Sequence, residues 1–160
     1  MPDKSTSSEA AAVNAETAAP AGPARKIYPI VMYGDPILEK PTAPISEFTA
    51  ELEELAEDMF ASMYAAQGVG LAAPQIGKNL RLTVVDVTAG KNPEAKIVLI
   101  NPEIVHAEGE KREEEGCLSL PGFRGYVVRP HFVHIKELNA KDESFEIRGG
   151  DLLAEACYTV

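Results

Sequence analysis

Cysteine is scarce in this sequence, and its scarcity excludes one class of small protein. Only Cys117 and Cys157 occur in 160 residues, so the chain can form at most one disulfide. Small secreted domains that depend on disulfides carry several of them at close spacing. The cysteine content therefore favours a protein of a reducing compartment, and we expect a cytoplasmic one.

Long apolar runs are missing as well. No segment reaches the roughly 18 consecutive apolar residues that suggest a membrane span, and residues 1–24 lack the basic start and apolar stretch of a secretion signal. These residues also contain acids but no arginine, which disfavours an organellar transit peptide. Because they are mainly Ala, Ser, Thr, Pro and Glu without an aromatic residue, we predict that residues 1–24 form a disordered tail.

Positive charge is in deficit, with 15 Lys and Arg against 25 Asp and Glu and a formal net charge of -10. Nucleic acids and anionic lipid surfaces are bound by clustered Lys and Arg. We therefore expect neither as a direct partner. The length is that of one ordinary domain, which we place at residues 25–160.

One amphipathic helix stands out, with Thr49 as its predicted N-cap and Gly68 as its end. Its apolar positions recur at helical spacing, at Leu52, Leu55, Met59 and Met63. We interpret the two methionines as core residues. Asp151 could cap a second helix that begins at Leu152.

Segments rich in branched residues follow the first helix, and Gly, Pro, Asn and Asp separate them. This pattern predicts strands that pair antiparallel. They lie at residues 80–87, 96–101, 104–107, 126–128, 132–138 and 144–147. The predicted fold class is α+β, with antiparallel sheets around a helical element.

Two segments have patterns that carry chemistry in some proteins. Residues 68–77 combine three glycines and a proline with small residues. Such a segment is also typical of a helix stop followed by a tight connection. Cys117 stands between Gly116 and Leu118, after three glutamates. A lone cysteine of this kind is more often an inert buried residue than a ligand or nucleophile.

Taken together, the two segments resemble the first two signature motifs of the peptide deformylase family, Gly-x-Gly-Leu-Ala-Ala-Pro-Gln and Glu-Gly-Cys-Leu-Ser. The likeness extends from Ile27 to Cys157 and includes Gly34-Asp35-Pro36-Ile37-Leu38 and Leu152-Leu153-Ala154. Family members remove the formyl group from the N-terminal methionine of newly synthesised proteins. The resemblance implies a divalent metal, usually Fe2+ and replaceable by Zn, Ni or Co. It also implies N-formylmethionyl peptides of nascent chains at the ribosome as partners, and a monomer.

The resemblance assigns catalytic roles to three residues. Cys117 matches the thiolate that binds the metal. Gln75 matches the glutamine whose side-chain amide donates to the oxyanion, and the backbone N–H of Leu118 matches the second donor.

Further roles follow for the surroundings of the metal loop. The substrate peptide is expected to lie extended along the segment Gly68, Val69, Gly70 and Leu71. Glu115 and Arg129 match a carboxylate and guanidinium pair that steadies the loop. Two solvated surface charges are the alternative interpretation of that pair.

The third family motif, His-Glu-x-x-His, does not occur in the sequence. Continued without gaps from Cys117, the pattern would place its first histidine at Thr159 and its glutamate at Val160. His131 and His134 are predicted on opposite faces of one strand, and His106 lies on another. We therefore expect a truncated peptide deformylase-like domain without the metal-site helix, in which these histidines do not rebuild a site with Cys117.

Two functions remain open at this point. The chain is predicted to be a catalytically impaired member of a hydrolase family that does not retain the metal. The alternative is a non-catalytic module that binds formylated or hydrophobic N-termini. A third possibility is that another chain supplies the missing helix.

Overall fold

The computed structural model of the chain describes residues 24–138 and 144–150. The predicted tail, except for Ala24, lies outside the described residues. So do the predicted second helix at Leu152 and the positions Thr159 and Val160.

The predicted helix is present as α1 (Ala50–Ala65). Thr49 caps it as expected, because the Thr49 hydroxyl oxygen accepts a hydrogen bond from the N–H of Leu52 at 3.4 Å. The helix ends where Gln67 takes a positive φ of 59° and the N–H of Gly68 bonds to the carbonyl of Met63. Met59 and Met63 are fully buried, which confirms their core role.

Seven strands follow the helix in the described part of the chain. They are β1 (Gly70–Ala72), β2 (Leu82–Val85), β3 (Ile97–Glu108), β4 (Lys111–Cys117), β5 (Leu120–Arg129), β6 (Phe132–Leu138) and β7 (Ser144–Gly150). Five of them form an antiparallel sheet in the order β1-β2-β3-β6-β7, and β4 pairs with β5 in a separate two-stranded sheet. The predicted α+β class with antiparallel sheets is thus confirmed.

The strand predictions need three corrections, the first being that β5 begins at Leu120 and not at Tyr126. Residues 96–101 and 104–107 belong to the single strand β3, whose register against β6 shifts between Ile100 and Glu103. Asn101 lies at this irregularity, with a φ of 50° and a side chain that bonds both the N–H and the carbonyl of Ile45. Strands β1 and β4 were not predicted at all, because neither is rich in branched residues.

The core lies between α1 and the β1-β2 end of the large sheet. Phe60, Met59 and Met63 of the helix pack with Leu71 of β1 and Val84 of β2, and each is at most 1% exposed. Burial of apolar surface on this scale is the main stabilising term of such a domain. It also fixes β1 and the segment that follows it, which carries Gln75.

An extended segment at residues 28–33, here called the N-terminal strap, crosses this core. The N–H of Tyr28 donates to the hydroxyl of Ser62 on α1 at 2.9 Å. The N–H of Val31 donates to the carbonyl of Gln75, and the N–H of Tyr33 donates to the carbonyl of Ser119. The strap therefore ties the helix to both segments singled out in the sequence.

Candidate functional site

The tip of the β4-β5 hairpin forms one side of the candidate site. Cys117 pairs with Leu120, so the two strands are joined by a turn of only two residues, Leu118 and Ser119. The next pair joins Gly116 to Arg124, which leaves residues 121–123 as a bulge in β5. This geometry presents Cys117, Leu118 and Ser119 together at the tip.

Gln75 forms the opposite side, in a short 3-10 helix at Ala73–Ile76. Its side chain is 9% exposed. The amide oxygen Oε1 accepts a hydrogen bond from the N–H of Ala72 at 3.0 Å, and Nε2 donates to Oγ of Ser119 at 3.2 Å. Nε2 also lies 4.0 Å from Sγ of Cys117. The fold thus brings together Gln75 and Cys117, which are 42 residues apart in the sequence.

A cleft of about 670 Å³ opens over these groups. Residues 68–70 line one wall, and Gly116, Cys117 and Leu118 line the other. Its rim is apolar, with Met32, Leu120 and Phe123 at 48%, 36% and 73% exposure. Leu71, in contrast, is fully buried in the core, so its side chain does not face the cleft.

Gly68 lies where the two walls meet, in close contact with the side chain of Leu118. A Cβ atom placed on Gly68 would lie 2.7 Å from Cδ1 of Leu118, which is closer than real carbon contacts. A side chain at position 68 would therefore require the side chain of Leu118 to move.

Glu115 and Arg129 form the predicted ion pair on the hairpin. Glu115 is 8% exposed. Nε and Nη2 of Arg129 each donate to a carboxylate oxygen at 3.0 Å, which is a two-pronged contact. The alternative of two solvated surface charges is therefore wrong. Since residues two apart on a strand share a face, Glu115 lies on the same face of β4 as Cys117.

The residues in the described part of the chain do not fit the three-ligand metal site of the family. Among them, no group of three or more His, Cys, Asp or Glu side chains is placed to hold an ion. His134 lies in β6 and pairs across the sheet with His106 of β3. Neither these two nor His131 is among the residues that line the cleft next to Cys117.

Several residues at the site were not singled out from the sequence. Ser119 is 5% exposed and contacts Gln75, yet it stands in the Glu-Gly-Cys-Leu-Ser segment without an expected role. Phe123 and Arg124 line the cleft because of the bulge, which no sequence pattern indicated. The position of Ser119 next to Leu118 could have indicated that it belongs to the site. No such signal exists for Phe123 and Arg124.

The fold and the site define a small α+β domain with a cleft between a hairpin tip and an edge strand, in which the polar side chain of Gln75 and the thiol of Cys117 lie within an apolar rim. Residues 27–158 match the family model described as polypeptide deformylase. Over 130 residues the chain is 55% identical to a peptide deformylase of Acidobacterium capsulatum, covering 81% of this chain and 76% of that protein.

Two further comparisons agree. A peptide deformylase of Lachnoclostridium phytofermentans is 47% identical over 133 residues, covering 82% of this chain and 80% of the relative. The crystal structure of a peptide deformylase from Legionella pneumophila superposes with a TM-score of 0.78 at 48% identity, covering 82% and 77% of the two chains. The chain belongs to the polypeptide deformylase family. Its described part contains no helix that is long and apolar enough to cross a membrane.

Proposed function

We propose that the cleft receives the formylated N-terminal methionine of a newly synthesised protein. The orientation of the Gln75 amide is the observation that carries the proposal. Because Oε1 accepts the N–H of Ala72, Nε2 faces the cleft and Cys117. In this proposal Nε2 donates to the formyl oxygen, the role that family membership leads us to expect, and the orientation of the amide supports it.

The N–H of Leu118 would be the second donor to the same oxygen. Leu118 lies in the two-residue turn between β4 and β5, so the strand ladder does not use its N–H. The peptide itself would run along residues 68–70, with the partly exposed Val69 at the lip of the cleft. Strand β1 is the outer strand of its sheet and could extend the ladder to such a peptide.

For the polypeptide of these 160 residues, we propose that hydrolysis is negligible. The family holds its metal with one cysteine and two histidines, and Cys117 is the single described residue that matches this set. A lone thiolate does not fix an ion in an open tetrahedral site. We therefore infer that Fe2+, or Zn, Ni or Co in its place, is not retained.

The test is turnover of formyl-Met-Ala-Ser by the purified polypeptide after loading with nickel or iron. We expect a rate near background, while the Acidobacterium capsulatum relative, treated identically, serves as the positive control. A rate comparable to that of the relative would refute the proposed loss of activity.

Binding without hydrolysis is the second candidate, and the ordered Gln75 amide favours it. Titration calorimetry without metal should then detect formyl-Met-Ala-Ser but not unformylated Met-Ala-Ser. Replacement of Gln75 by Ala should weaken the binding of the formyl peptide about tenfold, which is the effect of losing one good hydrogen bond. If formylated and unformylated peptides bind equally, recognition of the formyl group is excluded.

The setting proposed for this function is the cytoplasm, where nascent chains leave the ribosome, with the protein as a monomer. Family membership and the low cysteine content support it. Size-exclusion chromatography with light scattering tests the monomer. A mass of two or more chains would instead favour a site completed by a second chain.

A further inference from the structure

We propose that Ser119 is a positioning residue that holds the Gln75 amide in its donating orientation. This inference rests on the proposed role of Gln75 as a donor to the formyl oxygen. Its own observation is the hydrogen bond of 3.2 Å between Nε2 of Gln75 and Oγ of Ser119. Both side chains are buried, at 9% and 5% exposure.

The direction of the Gln75 amide is set by a group that can only donate. The N–H of Ala72 lies 3.0 Å from Oε1 of Gln75. If the amide were turned over, its NH2 group would face that N–H, and two donors would meet without an acceptor. Nε2 therefore faces the hairpin tip, and Oγ of Ser119 accepts one of its two hydrogens.

The second hydrogen on Nε2 remains for the cleft. Cys117 Sγ is a weak acceptor, and its distance of 4.0 Å from Nε2 is too long to hold the amide firmly. Without the Ser119 hydroxyl, one buried N–H would lose its partner, and the bond from Ala72 to Oε1 would remain as a single holding point about which the amide plane can turn. A rotated amide would no longer direct its free N–H to the place where the formyl oxygen is bound.

The backbone keeps the two residues in register without help from their side chains. The N–H of Val31 bonds to the carbonyl of Gln75 at 2.7 Å, and the N–H of Tyr33 bonds to the carbonyl of Ser119 at 2.9 Å. Since both donors belong to the N-terminal strap, the strap fixes the spacing between the 3-10 helix and the hairpin tip. Removal of the Ser119 hydroxyl should thus free the Gln75 amide while the backbone stays in place.

The experiment follows the side-chain NH2 signals of glutamine by 15N NMR in the metal-free, ligand-free polypeptide. Gln67 and Gln75 are the only glutamines in the sequence. Gln67 is exposed and gives an internal reference. In the unaltered chain we expect the Gln75 NH2 proton that is bonded to Ser119 to exchange with water at least about tenfold more slowly than the protons of Gln67, and to show nuclear Overhauser contacts to the β-protons of Ser119.

Ser119→Ala should abolish that protection of Gln75, and Ser119→Thr, which keeps the hydroxyl, should restore it. Ser62→Ala is the matched control, because Ser62 is another buried serine that holds the strap but does not touch Gln75. It should lower stability and leave the Gln75 signals unchanged. Unchanged Gln75 signals in Ser119→Ala would overturn the proposal.

If Ser119→Ala does not fold, the unaltered chain still tests the proposal. Equal rates of NH2 proton exchange for Gln75 and Gln67 would overturn it. The role of Gln75 is tested separately by formyl-Met-Ala-Ser titration. Ser119→Ala should bind this peptide about tenfold more weakly, the same loss as Gln75→Ala. An absence of formyl-peptide binding in the unaltered chain would refute the proposed function, whereas the NMR result would still decide whether Ser119 positions Gln75.

Discussion

Three consecutive glutamates on β4 differ in their surroundings, although they have the same chemistry. Glu113 contacts Lys111, and Glu114 lies 3.6 Å from Arg124 at an exposed position. Glu115 alone is buried, and Arg129 holds it through both carboxylate oxygens. Glu115 lies two residues before Cys117, so its contact with Arg129 supports the base of the hairpin tip.

Replacement of Glu115 by Gln should therefore be costly. The change removes the charge of the buried carboxylate that contacts Arg129 through both oxygens, and we expect a loss of about 3 kcal/mol in the free energy of unfolding. Glu114→Gln is the matched control at the neighbouring exposed position, with an expected loss below about 0.5 kcal/mol. Urea denaturation measures the free energy of unfolding of both variants. Equal losses would show that the buried pair contributes no more to stability than the exposed one.

Some of the individual residues of the site could be predicted from the sequence. The resemblance indicated that Gln75, Cys117, Leu118 and the pair of Glu115 and Arg129 belong to one region, and the fold brings them together. Ser119 has no predicted role, because a serine in a turn usually bonds to its own backbone. Its contact with Gln75 depends on the docking of two distant segments, which the sequence pattern does not reveal.

At the scale of elements, Asp86 connects α1 to the turn between β2 and β3. Its fully buried carboxylate accepts hydrogen bonds from the hydroxyls of Tyr64 and Thr88 and from the N–H groups of Thr88 and Gly90. Burial alone would raise the pKa of Asp86. The hydrogen bonds from Thr88, Tyr64 and Gly90 outweigh it and hold that pKa at about 2.

This depressed pKa predicts a loss of stability in acid. The unfolded carboxyl has a pKa near 3.8, so the stabilisation from Asp86 is fully present above that pH and is lost as pH falls through about 2. The difference between the two pKa values corresponds to about 2 kcal/mol. Urea denaturation of the unaltered chain and of Asp86→Asn should show a large difference in stability at pH 7.

The difference between these two chains should shrink between pH 4 and pH 2, since the asparagine does not titrate. Tyr33→Phe, at a tyrosine that is 73% exposed, is a control for mutational effects unrelated to Asp86. Its stability difference from the unaltered chain should stay constant over the same range. A constant difference for Asp86→Asn would contradict the assignment.

Elements with strong local patterns could be predicted, and the others could not. Helix α1 has a cap and apolar residues at helical spacing, and β6 has alternating branched residues, so both were found. Strand β1 contains only Gly70, Leu71 and Ala72, and β4 consists mainly of charged residues. Their strand form comes from pairing with β2 and β5, which is a tertiary effect that overrides local preference.

At the scale of the whole molecule, the described chain places Cys117 in a different sheet from His106 and His134. Cys117 is at the tip of the two-stranded sheet, and His106 and His134 face each other across β3 and β6 of the large sheet. The α+β architecture could be predicted because one capped amphipathic helix is followed by branched segments that turn residues separate. The separation of Cys117 from the histidines could not be predicted, because it depends on how the two sheets pack.

This separation predicts weak metal retention by the 160-residue polypeptide. After incubation with Ni2+ and desalting, elemental analysis should find well below one equivalent, because one thiolate provides too few bonds to offset the loss of the hydration shell. Cys117→Ser should not change the amount, and the Acidobacterium capsulatum relative should retain its ion under the same treatment. One firmly held ion per chain, lost in Cys117→Ser or in His134→Gln, would show that these residues converge on a metal.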